Sequence, residues 1–132
     1  MSLSVPPRQH GLAHILAATK YSASGAGRLL GETAFRHECV LFGLILLGFG
    51  LSGARLGSYL VAASLFFILV AAEALNTAIE IIVDQISPHW SVAARDAKDL
   101  GSFAVLCLLL ANAAYAAYVI FESLARGNVI LT

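Results

Sequence analysis

Three stretches without a charged residue, Cys39 to Ala54, Leu56 to Ala72 and Leu100 to Phe121, constrain this chain more than anything else in it. They hold sixteen, seventeen and twenty-two residues. At about 1.5 Å per residue, the last covers a hydrocarbon core of about 30 Å by itself. The first reaches about 24 Å and must borrow residues from before Glu38. The second runs on into Ala72 to Asp84, reading AEALNTAIEIIVD, until Ser87 and Pro88 stop it. With 59% hydrophobic and 12% charged residues in 132, and a mean hydropathy of +0.83, the chain reads as an all-α integral membrane protein.

The expected organisation is a single membrane domain over 1–132, with helices at about 8–28, 32–53, 56–86 and 97–122. Met1 to Pro7 reads as a loose tail. Leu12, Ile15 and Leu16 recur at helical spacing among His10, His14 and Lys20, which suits an amphipathic helix lying on the membrane surface. Ser22, Ser24, Gly25 and Gly27 should weaken its continuity. Ser52, Gly53, Arg55 and Gly57 mark the first connection between spans, and His89 to Lys98 the second.

Arg8, Lys20, Arg28 and Arg36 precede the first span, and Arg95 and Lys98 separate the second and third. Arg55 and Arg126 stand at the other side. By the positive-inside rule the N-terminus and the 87–99 connection face the cytoplasm, while Tyr59, Tyr115 and Tyr118 form a belt at the far interface. The opening residues lack the pattern of a cleaved signal peptide. Cys39 and Cys107 lie in apolar runs with no metal-ligand spacing. A formal net charge of zero with dispersed basic residues gives no reason to expect nucleic-acid binding. Asn112, among alanines in mid-span, is expected to bond a neighbouring helix.

Glu73, Asn76, Glu80 and Asp84 return to nearly one bearing on a helix, making a polar stripe at the end of an apolar span. Ionisable groups there point to function. The topology brings Glu32, Arg36, Glu38, Lys98 and Asp99 to the same face. Carboxylates beside a lysine suit Mg²⁺, which takes one or two carboxylates and shares its shell with phosphate oxygens. No GxxxxGK[ST] loop is present, and Gly25, Gly27 and Gly31 miss the GxGxxG spacing, so a phosphate site here must use side chains. A structural seam between subunits is the bland alternative for the stripe. A cation pore is a further one, disfavoured because 100–121 carries no charge. A metal-dependent lipid phosphatase would need no ATP site.

Four blocks, Ala18-Thr-Lys-Tyr21-Ser22, Glu32-Thr-Ala-Phe-Arg36-His-Glu38, Glu73-Ala-Leu-Asn76-Thr-Ala-Ile-Glu80 with Asp84 following, and Ala97-Lys98-Asp99-Leu-Gly101-Ser102, stand in the order found in the small integral-membrane prokaryotic diacylglycerol kinases. The chain resembles that family, which includes the undecaprenol kinases, over nearly its whole length. The resemblance implies a homotrimer of three-span subunits transferring the γ-phosphoryl of MgATP to a lipid alcohol, diacylglycerol or alternatively undecaprenol. The reaction would take place at the cytoplasmic face of the bacterial inner membrane.

Carried over by position, Glu73 is the catalytic base and Asn76 helps to position the reacting groups. Glu32 and Glu80 hold the Mg²⁺ on ATP, and Lys98, Asp99 and Tyr21 contact the nucleotide. Ser102, Arg36, Glu38 and Phe35 belong with Glu73 to the lipid side. The chain departs from the family at His14, where an arginine is frequent, at Ser24, and over Pro88-His89-Trp90-Ser91. His14, His89, Trp90 and Ser91 are accordingly expectations for ATP by place rather than by residue type.

Overall fold

A computed structural model of the protein describes residues 11–129 and contains four helices, with no strand among the described residues: α1 Leu12–Leu30, α2 Thr33–Ser52, α3 Leu56–Ile86 and α4 Val92–Val129. The expected tail, His10 and the beginning of the surface helix lie outside the described residues. α2, α3 and α4 are each long and apolar enough to cross a membrane. Leu44, Leu60, Phe67, Leu110 and Phe121 stand exposed along them, a surface that water does not tolerate over such an area and hydrocarbon does.

The connections follow from local chemistry. α2 ends at Gly53, whose φ of 71° is left-handed. Ala54 N–H donates to the Phe49 carbonyl at 3.0 Å and Gly53 N–H to that of Gly50 at 3.4 Å, the paired bonds of a Schellman turn. α3 stops at the serine before Pro88, as expected from its sequence.

Two helices differ from expectation. α4 begins at Val92, five residues before the expected 97, and runs on to Val129. The Ser91 hydroxyl accepts from the Ala94 N–H at 3.1 Å and from or to the Ser87 hydroxyl at 3.1 Å, which caps the helix ahead of its apolar part. Residues 92–98, expected as connection, are therefore helical. α1 is continuous through Ser22, Ser24, Gly25 and Gly27. Packing of its last turn, where Leu29 is buried, outweighs the weak helix propensity of those residues.

α3 and α4 form the principal packed pair. At one end Phe49, Ala62, Ala116 and Val119 make the apolar core, with the Tyr59 ring edge-on to Phe49 at 5.5 Å and Tyr115 at 6.4 Å. Tyr115 donates its hydroxyl to the Ser58 carbonyl at 3.4 Å. Midway, the Asn112 amide donates to the Leu65 carbonyl of α3 at 3.4 Å and to Leu108 at 2.9 Å, the interhelical bond read from sequence. At the other end polar groups are buried as well: Glu38, Glu73, Asn76 and Thr77.

Candidate active site

At that polar end Glu73 is 5% exposed although it carries a carboxylate. Its position on α3, followed by Asn76 and Glu80 at helical spacing, turns all three toward α4 and the start of α2. Glu32 arrives from another direction, as the extended N-cap residue of α2. Glu32, Glu73, Asn76, Glu80 and Ser102 line one cavity of about 280 Å³. Glu80, Glu32 and Glu38 are all within Coulombic reach of Glu73. So many carboxylates at one spot repel one another unless cations offset them.

Three contacts hold the arrangement. Asn76 Nδ2 donates to Glu80 Oε1 at 3.2 Å. Arg28 Nη1 meets Glu32 Oε1 at 2.8 Å, one turn away along the chain. Across the α3–α4 hairpin Lys98 Nζ pairs with Asp84 Oδ1. Asn76 Oδ1 and Glu38 Oε2 are buried with no hydrogen-bond partner.

A second cavity, of about 350 Å³, lies where α3 hands over to α4 and is lined by Asp84, His89, Trp90, Ser91, Lys98 and Asp99, with Arg95 among them. Asp84 and Lys98 are each four residues from a wall of the first cavity, Glu80 and Ser102. That is about 6 Å along either helix, so the two cavities are successive stations of one α3–α4 groove.

The expected residues thus divide. Glu32, Glu73, Asn76, Glu80 and Ser102 converge on one cavity, and His89, Trp90, Ser91, Lys98 and Asp99 on the other. Tyr21, His14 and Arg36 are exposed and line neither; the Arg36 guanidinium donates to Thr33 Oγ1 at 3.2 Å. Glu38 is buried beside the first cavity without lining it. Phe35 is buried in the wall of a third space, an apolar groove of about 680 Å³ between α1 and α3 that also takes in Leu29, Phe67, Ala71 and Ala74. Thr77 lines both this groove and the carboxylate cavity.

Arg95 and Thr77 carry no site expectation from the sequence. Arg28 has a signal there, its spacing of four from Glu32. Thr77, an ordinary residue within a helix, had none.

Among the described residues no three His, Cys, Asp or Glu side chains gather as a complete protein cage for a metal. Mg²⁺ needs none, since it takes one or two carboxylates and fills its shell with water and phosphate oxygens. The hard carboxylate oxygens of Glu32 and Glu80 on one cavity fit such an ion.

Buried carboxylates at one end of a bundle whose helices are long and apolar enough to span a membrane define a multi-pass membrane protein with a polar cavity at that end. The family described as prokaryotic diacylglycerol kinase matches residues 20–121, and the chain belongs to it. It is 51% identical to a diacylglycerol kinase of Sinorhizobium sp over 113 residues, covering 86% of this chain and 82% of that one. It is 38% identical to a diacylglycerol kinase of Haemophilus influenzae over 75% of this chain and 87% of the relative. For that of Escherichia coli K12 the identity is 32%, over 76% and 83%.

Proposed function

We propose that this chain is an ATP-dependent diacylglycerol kinase that forms phosphatidic acid at the end of the bundle bearing Glu73. The observation that carries the reading is the convergence of Glu32, Glu73, Asn76, Glu80 and Ser102 on one cavity, joined through Thr77 to an apolar groove.

Glu73 is the general base. It takes the proton of the diacylglycerol hydroxyl as that oxygen attacks the γ-phosphorus, and the bond from the γ-phosphorus to the bridging oxygen breaks to release ADP. Glu32 and Glu80 would hold Mg²⁺, which would supply charge neutralisation for the transferring phosphoryl group. Asn76 fixes Glu80 through its amide, and Lys98 binds phosphate once its pairing with Asp84 is exchanged. His89, Trp90, Ser91 and Asp99 receive the rest of the nucleotide, with Tyr21 and His14 approaching from α1. Ser102, Phe35, Arg36 and Glu38 serve the lipid side, and the groove of about 680 Å³ matches the volume of ligand sites generally.

The active protein is a homotrimer in the bacterial inner membrane with the N-terminus and this site cytoplasmic. α1 rests on the membrane surface, its Leu12, Ile15 and Leu16 exposed for that purpose. The distribution of basic residues supports the orientation, and the carboxylates of a lone three-span subunit call for neighbours to shield them.

Labelled γ-phosphate from ATP, offered with diacylglycerol and with undecaprenol in parallel micelles, tests the reading. Label should appear in phosphatidic acid and vanish on chelation of Mg²⁺. Preferential labelling of undecaprenol would move the chain to the other branch of its family, and labelling of neither would remove the kinase reading.

A further inference from the structure

Gly101 lies buried on α4 where that helix crosses α3. A Cβ at this position would overlap Asn76 Oδ1 and stand 3.3 Å from Asn76 Cγ, while remaining at an ordinary 3.8 Å from Asn76 Cα. The clash is therefore with the amide group and not with the backbone of α3. That amide is held at its other end, where Nδ2 donates to Glu80 Oε1 at 3.2 Å, and its Oδ1 is buried without a partner. An amide with a free choice would turn its oxygen to a donor. Here the oxygen is directed at a residue that offers only the space of a missing side chain.

We propose that Gly101 is a positioning residue: the absent Cβ keeps the Asn76 amide in the one orientation that lets Nδ2 hold the Glu80 carboxylate in the cavity. Any larger residue displaces the amide, breaks the bond to Glu80 and leaves that carboxylate to turn. This rests on Glu80 being a metal ligand, and partners that orient a ligand in this way change metal affinity or activity by about 10–100-fold when removed.

The first variant is Gly101→Ala. Alanine favours a helix more than glycine does, so helix propensity cannot account for a loss. Equilibrium binding of the β,γ-methylene analogue of ATP, followed by calorimetry across a Mg²⁺ series, should show the Mg²⁺ requirement raised about 10-fold or more. The KM for diacylglycerol should stay at the wild-type value. In Asn76→Ala the amide is gone, so adding Gly101→Ala to it should change Mg²⁺-dependent binding no further. Wild-type binding by Gly101→Ala overturns the proposal, as does an equal loss on the Asn76→Ala background. A rise in the diacylglycerol KM also overturns it, because displacement of α4 as a whole would carry Ser102 with it. Glu80→Gln separates the two levels. If it binds the analogue normally, the metal assignment fails and this proposal with it; if it loses binding while Gly101→Ala keeps it, only the role of Gly101 is refuted.

Discussion

At the scale of single residues the proposed chemistry turns on Glu73, a carboxylate buried within α3 just after its uncharged run. Glu73→Gln keeps the shape and removes the base, so phosphoryl transfer should fall by about 10²–10⁴-fold, the usual worth of a general base. Binding of a non-hydrolysable MgATP analogue should be retained; comparable turnover in the variant would assign the proton to another group. Glu73, Asn76 and Glu80 were legible in the sequence because they share one face of one helix, and a period of 3.6 reports that directly. The topology of the spans brings Glu32 to the same face, but its pairing with Glu80, and Ser102 altogether, needed the resemblance, since local spacing gives no distance between helices. Gly101 stood in a quoted block without a role. Its role depends on a distance across two helices, which no single-chain pattern encodes.

Helix boundaries show the same division. α3 could be read because an uncharged run feeds into it and Pro88 ends it. α4 starts earlier than expected because Arg95 and Asp96 look like a wet loop, and the Ser91 cap that makes them helical is a short-range device hidden among polar residues. α1 was expected to falter at its glycines and does not. The turn between α2 and α3 needs a left-handed residue, and Gly53 supplies it at φ 71°. Gly53→Ala should cost roughly 1–2 kcal/mol there, seen as faster thermal inactivation in detergent with the KM for both substrates unchanged. An unaltered inactivation rate would mean that the turn relaxes freely.

For the whole molecule, the exposed leucines and phenylalanines of α2, α3 and α4 announce the membrane as clearly in the sequence as in the structure, because charge-free length is a one-dimensional property. How subunits complete one another is not, since an interface is a relation between surfaces. The apolar groove between α1 and α3, with exposed Phe67 on its wall, shares Thr77 with the carboxylate cavity. A lipid that enters this way never leaves the bilayer plane, so the protein senses its acceptor in two dimensions. Turnover should then follow the mole fraction of diacylglycerol in the micelle or bilayer and fall when inert amphiphile is added at constant total diacylglycerol. A rate set by bulk concentration alone would count against that route. By that route the protein would read local composition in a growing membrane, responsive to crowding by neutral lipid and indifferent to how much membrane there is.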